Sequence, residues 1–156
     1  MRGAFGGADS PELFSAVRAL LLEPAAPETW VLAGHSRGAV VAKDVVSSSP
    51  ENIAGLVLIG TTHPRDVSLA HIEIPVVKLA GTRDGLARPG AVRQNAHLLP
   101  PTTRWVWIEG ANHSQFGWYG FQPMDRRATI AREEQQELMV RSVVDLLREL
   151  DRAPAA

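Results

Sequence analysis

Trp30-Val31-Leu32-Ala33-Gly34-His35-Ser36-Arg37-Gly38-Ala39-Val40-Val41-Ala42 is the stretch whose reading decides the fold. Trp30 to Ala33 is a short apolar run bounded by glycine. From Arg37 to Ser47, the residues Ala39, Val40, Ala42, Val45 and Val46 form a broad apolar face at helical spacing. Strand, tight turn and helix thus follow one another directly. Gly34 to Gly38 matches G-x-S-x-G, a motif that gains meaning when an apolar strand precedes it and a helix follows. Its glycines let a strained turn pass close to neighbouring backbone, which pushes the serine hydroxyl out at the carboxyl edge of a sheet. The bland alternative is a glycine-containing tight turn with an incidental serine.

The pattern repeats outward from this stretch. Gly55 to Ile59, Pro75 to Ala80 and Trp105 to Ile108 read as apolar runs, the form expected of parallel strands covered on both faces by helices. Gly90 to Leu99 reads as a short helix between the last two. Upstream, Ser10 to Glu23 reads as a helix capped by Ser10 or Asp9. Pro11 suits its first turn, Leu13, Val17, Leu20 and Leu21 recur at helical spacing, and it ends before Pro24 and Pro27. The longest helical stretch runs from about Ile130 to Leu150, with Glu133 and Glu134 in its first turn and Met139, Val143, Leu146 and Leu150 as its buried stripe. The fold class is therefore α/β, a three-layer sandwich of about four parallel strands flanked by helices, in a single domain without internal repeats.

A chain of 156 residues hides roughly 68–70% of its unfolded surface, enough for one hydrophobic core. With 16 basic and 17 acidic residues and a net charge of −1, it lacks the electrostatic footprint of a nucleic-acid or membrane-surface binder, which points to a small-molecule partner. The absence of cysteine removes disulfides, a thiolate nucleophile and a thiolate zinc site. No run approaches the ~20 apolar residues that span a bilayer. Met1 to Asp9 lacks the apolar stretch of a signal peptide, so a cytoplasmic location is expected if Met1 is the native start. No phosphate-binding loop or histidine pair with metal-ligand spacing is present, so no cofactor is inferred. The cluster Gly3, Gly6, Gly7 follows no strand and is weak support for nucleotide binding.

A serine hydroxyl attacks poorly until a base removes its proton, which turns attention to the five histidines. His113 lies just past the strand Trp105 to Ile108, at the same carboxyl edge as Ser36. His35 sits inside the turn and should point away from it, His63 follows the strand ending at Ile59, and His71 and His97 fall in helical or loop context. The base in turn needs a carboxylate to fix its tautomer. Asp84 follows the strand Pro75 to Ala80 and lies between Ser36 and His113 in chain order; Asp66, in the loop after Ile59, is the competitor. The backbone amide of Arg37, at the helix N-terminus, could hydrogen-bond a developing oxyanion. Phe116, Trp118, Tyr119 and Phe121 either line a substrate pocket or pack a long loop onto the core. For Trp105 and Trp107, core packing is the better reading.

In order and spacing, three segments resemble the α/β-hydrolase family: Gly34-His35-Ser36-Arg37-Gly38, then Gly81-Thr82-Arg83-Asp84-Gly85 with Pro89 behind it, then Gly110-Ala111-Asn112-His113-Ser114-Gln115-Phe116-Gly117. The tail Trp118-Tyr119-Gly120-Phe121-Gln122-Pro123-Met124-Asp125, leading to Arg132-Glu133-Glu134-Gln135, is similar to that of a bacterial subgroup of this family. The resemblance covers about Arg2 to Leu150. It implies an acyl-transfer hydrolase with Ser36, Asp84 and His113 as catalytic triad. Taken with the residues read above, the expected function is an esterase-like hydrolase acting on a small ester or related acyl substrate, with the Arg37 amide as oxyanion donor and Phe116 and Trp118 as candidate substrate-binding residues. Arg37 departs from the aliphatic residue often found there and puts a long cation near the acyl pocket.

A second departure is that the family's sheet usually has eight strands, with a second oxyanion donor after the third. Arg2 to Ser10 resembles the glycine-rich loop after the fourth strand, so the chain reads as the C-terminal half of the fold. That predicts feeble activity and a bare edge on the strand Trp30 to Ala33, inviting a homodimer, aggregation or a place in a longer polypeptide. The alternative function is a non-catalytic remnant serving as a binding or assembly module.

Overall fold

The computed structural model describes residues 10–48, 51–118 and 120–152. The glycine cluster Gly3, Gly6, Gly7, the cap candidate Asp9 and the aromatic Tyr119 lie outside them. Among the described residues, four strands form one parallel sheet in the order β1-β2-β3-β4: β1 (Trp30–His35), β2 (Ile53–Ile59), β3 (Val76–Gly81) and β4 (Arg104–Ile108). The same residues hold four α-helices: α1 (Ser10–Leu21), α2 (Arg37–Ser48), α3 (Pro89–Gln94) and α4 (Arg132–Arg152).

Because successive side chains of a strand point to opposite faces, the sheet builds two cores. Leu56, Leu58 and Val76 join Ala39, Ala42 and Val46 of α2 on one face. Val57, Ile59, Val77 and Leu79 join Leu146 of α4 on the other, with Met139, Val143 and Leu150 packed against them. These three layers and the α4 stripe agree with the sequence pattern. Trp105 and Trp107 share a face of β4 and stack with parallel rings 6.1 Å apart, and the Arg93 guanidinium lies 4.2 Å from the Trp107 centroid.

The departures from expectation are local. α1 stops at Leu21 rather than Glu23: the amides of Leu22 and Glu23 turn back to the carbonyls of Ala19 and Leu20, and Pro24 disfavours helix for the residue before it. The short helix expected over Gly90 to Leu99 divides into α3 and a 3-10 turn, Ala96–Leu98. Between them, Asn95 turns its side-chain amide to the Thr62 carbonyl at 2.8 Å. Among the described residues, β1 is paired on one side only.

Lysine usage is the feature that sequence pattern conceals. The chain has two lysines, Lys43 and Lys78, and both are fully buried. Lys43 Nζ donates to both oxygens of Asp66, at 2.9 and 3.1 Å, and lies beside Asp44. Lys78, in the middle of β3, donates to the His63 carbonyl at 2.5 Å, and burial lowers its pKa to about 7.

Since all four strands run in parallel, every loop that leaves a carboxyl end opens on one edge of the sheet. Ser36 follows β1, His63 to Asp66 follow β2, Asp84 follows β3 and His113 follows β4. In open α/β sheets this edge is where ligands bind.

Candidate active site

Ser36 is the single residue between β1 and α2, with φ of +54°. A non-glycine residue with positive φ stores strain that the surroundings must hold in place. The Ser36 amide donates to the Ile59 carbonyl at 3.0 Å, which ties the turn to the end of β2. The Ser36 carbonyl accepts from the amides of Ala39 and Val40 and starts α2. A Cβ on Gly34 would lie 2.3 Å from the carbonyl carbon and oxygen of Gly38, so no side chain fits there. A Cβ on Gly38 would meet nothing within 4 Å. The demand for glycine therefore falls on Gly34, and Gly38 contributes the backbone wall.

At the exits of β3 and β4, Asp84 and His113 meet in the interior. Asp84 is 0% exposed; one carboxylate oxygen accepts from the amides of Leu86 and Ala87 at 2.8 and 2.6 Å, and the other pairs with His113 Nδ1 at 2.9 Å. An ionised carboxylate only accepts, so His113 Nδ1 carries the proton and donates it. His113 Nε2 is then the nitrogen with a free lone pair; it is buried and has no hydrogen-bond partner. Asp66 holds a different place. Its carboxylate is held by Lys43, which keeps its pKa at about 2, and it lies 3.4 Å from His63 Nδ1. The structure thus brings Asp84, not Asp66, to His113.

His35 does not point away from the site as its place in the turn suggested. Its ring packs 4.5 Å from the His113 ring and 5.6 Å from Phe116. Burial, reinforced by the nearby His113 and opposed by Asp84 and Asp125, lowers its pKa to about 4. A neutral ring therefore packs against His113.

Ser36 and His113 line a common pocket of about 260 Å³. Val40, Leu86 and Ala87 give it an apolar side, Thr61, Thr62 and His63 a polar one, and the basic residues Arg37 and Arg65 complete the lining. Arg37 is the first residue of α2, where backbone amides have no partner within the helix. Among the described residues, no group of three or more His, Cys, Asp or Glu is placed to hold a metal ion. Nor is any helix among them long and apolar enough to cross a membrane.

The family model described as the alpha/beta hydrolase family matches residues 13–137. The chain belongs to that family. Solved α/β-hydrolase structures share its fold at low identity. A CIB-like hydrolase from Thermoplasma acidophilum superposes with a TM-score of 0.66 at 17% identity, covering 91% of this chain and 61% of that one. Alpha/beta hydrolase domain-containing protein 10 from mouse gives 0.69 at 14% identity, with coverage of 95% and 73%. A thermophilic esterase from Thermogutta terrifontis gives 0.61 at 16% identity, with coverage of 90% and 71%. The present chain thus spans about 61% of the length of the Thermoplasma hydrolase. No curated protein matches.

Neither aromatic residue singled out for substrate binding in this α/β-hydrolase reaches the pocket. Phe116 is buried in the core on the α4 side of the sheet. Trp118 is 72% exposed; its Nε1 donates to Gln136 at 3.0 Å and the Arg132 guanidinium lies 4.6 Å from its ring. Both pack the long loop down.

Two residues that the sequence did not single out shape the histidine loop. Buried Asp125 accepts from the amides of Gly85, His113, Ser114 and Arg126, at 3.0, 3.3, 2.8 and 2.9 Å, and from Ser114 Oγ at 2.6 Å. Burial alone would raise its pKa, but the Ser114 hydroxyl and these amides hold it below the ordinary carboxylate value. It therefore fastens the Asp84 loop to the His113 loop. The two run so close that a Cβ on Gly85 would lie 2.3 Å from the Met124 carbonyl. Fully buried Gln135 accepts from the Asn112 amide at 3.1 Å and donates to the Asn112 carbonyl at 2.8 Å, joining the residue before His113 to α4. The available signal was an acid and an amide within the segment after His113, but no spacing rule links them to backbone groups so distant in sequence.

Proposed function

We propose that this chain acts as a serine hydrolase of the esterase type, with Ser36 as nucleophile, His113 as base and Asp84 as the acid that orients it. The observation that carries the proposal is the buried His113–Asp84 hydrogen bond at 2.9 Å, which leaves an unpartnered Nε2 on a residue lining the same pocket as Ser36. Ser36 Oγ attacks the ester carbonyl while Nε2 takes its proton, and Asp84 stabilises the resulting imidazolium. The tetrahedral oxyanion lies at the N-terminus of α2, where the Arg37 amide donates to it. The imidazolium returns the proton to the leaving alkoxide as the C–O bond breaks, giving an alcohol and an acyl-Ser36. Water, deprotonated by the same nitrogen, then attacks the acyl group. Ser36 leaves and regains its proton, and the acid is released. The esterase among the similar structures makes carboxylic esters the first class to assay.

A fluorophosphonate probe, which phosphonylates an activated serine, tests the proposal directly. Labelling should occur at Ser36, vanish in Ser36→Ala, and fall by orders of magnitude in His113→Ala with the fold retained by circular dichroism. A folded sample that takes no label, or a Ser36→Ala variant that still takes it, would sink the assignment and favour a binding or assembly role.

A further inference from the structure

We propose that the pocket beside Ser36 selects small esters that carry an anionic group, a carboxylate or a phosphate. This rests on the reading of Ser36 and His113 as a hydrolytic pair and adds the substrate class. Two of the pocket-lining residues are arginines from different strand exits: Arg37 opens α2 directly after Ser36, and Arg65 lies in the loop after β2. Among the described residues neither guanidinium is engaged in an ion pair, hydrogen bond or ring contact; the backbone amide of Arg65 donates to Asp66. Among the described residues, no aspartate or glutamate lines the pocket.

The nearby carboxylates are committed elsewhere. Asp66 is held by Lys43 through both oxygens. Asp84 lies behind His113, with its oxygens taken by two amides and the imidazole. The charge of Arg65 is felt along the polar side of the pocket, where, after burial, it is the strongest influence lowering the pKa of His63. The unpartnered amides at the start of α2 add positive potential of the same sign. An uncharged ester gains little from this wall. A carboxylate or phosphate gains paired, charge-assisted hydrogen bonds, for which a guanidinium is better shaped than an ammonium. The volume of about 260 Å³ suits a short chain between the ester and its anion.

The test compares, by proton release in a pH-stat, monoethyl glutarate, the ethyl ester of 4-phosphonooxybutanoate, and ethyl 5-oxohexanoate as the neutral isostere. The expected result is a kcat/KM at least tenfold higher for one or both anionic esters, carried mainly by KM and shrinking as salt rises. The preferred anion names the source. Arg65→Gln should cut the anionic-to-neutral ratio about tenfold, and Arg65→Glu should bring it below one. A wild-type ratio near one, or a ratio unmoved by Arg65→Glu, overturns the proposal while leaving the hydrolase reading intact. If no ester turns over and Ser36 takes no fluorophosphonate, the hydrolase reading fails, and the anion site is decided by titrating glutarate and inorganic phosphate. Shifts of the Arg37 and Arg65 Nε–Hε resonances support it, and their absence overturns it.

Discussion

At the exits of β2 and β3, an aspartate stands beside a basic side chain, and the two pairs are built in opposite ways. After β3 the acid is the buried member: Asp84 is 0% exposed, and the orientation of its carboxylate is fixed by two amides before it meets His113. After β2 the base is the buried member, with Lys43 in the interior and the Asp66 side chain 56% exposed. A carboxylate held by amides can aim a partner, because its own orientation is already set. A carboxylate at the surface neutralises a buried cation but aims nothing. Between these two ion-paired acids, it is burial together with the contact to the imidazole, rather than the presence of an ion pair, that marks Asp84 as the candidate catalytic aspartate.

The sharpest way to break this contrast is Asp84→Asn. With the imidazole no longer held in the required tautomer, turnover should fall by up to about ten-thousandfold with the fold retained, measured as kcat/KM on an activated ester. Asp125→Asn comes next. It keeps one acceptor oxygen but loses the charge that gathers four amides and a hydroxyl. We expect kcat to fall on the order of tenfold to a hundredfold with KM little changed, as for a supporting residue whose loss loosens a catalytic histidine. Asp125→Glu should recover less activity than the wild type, because the longer side chain overshoots the same amides. Equal losses in kcat and in thermal stability across both variants would mean that Asp125 is structural only.

Lys78 sharpens the comparison from the other side, since this buried cation is given a carbonyl in place of a carboxylate. Its folded pKa of about 7 lies below the ordinary lysine value of 10.5. Between those values the unfolded chain holds more protons than the folded one. Stability should therefore rise with pH across the window from about 7 to 10.5, by up to about 1.4 kcal/mol per unit, and the full burial cost is present below it. Lys78→Met should flatten that slope in urea titrations at pH 7 and pH 9. An unchanged slope would place the proton elsewhere. The smallest effect belongs to Asp66→Asn. Ester turnover should change by less than about threefold, and stability should drop by about 1 kcal/mol, because the lost carboxylate is exposed and Asp44 remains beside Lys43. A loss of turnover comparable to that of Asp84→Asn would reverse the assignment of the two acids.

Features with local causes were legible in the sequence. Gly34 and Ser36 announce the turn because the steric demand lies within five residues, and the apolar runs announce the strands because both faces of the sheet are covered. Ser36, Asp84 and His113 could be placed on one edge because parallel strands put all their exits there. What stayed hidden depends on distant partners. Lys78 sits in Val76-Val77-Lys78-Leu79, where charge suggests a solvated position, yet its amine is satisfied by a carbonyl fifteen residues away. Asp125 and Gln135 act on backbone amides, which carry no residue identity for a sequence to display. The place of His35 beside His113 depends on how β1 and β4, at opposite edges of the sheet, bring their exits together.

The burial of both lysines also governs how the folded protein meets amine-directed chemistry. All other side-chain cations are arginines or histidines, so an acylating reagent finds no accessible side-chain amine on the native state. Lys43 becomes available when α2 lifts from the sheet, and Lys78 when β3 loses its cover. Pulse labelling followed by peptide mass spectrometry would therefore read the opening of each layer as a separate clock, in the unaltered protein.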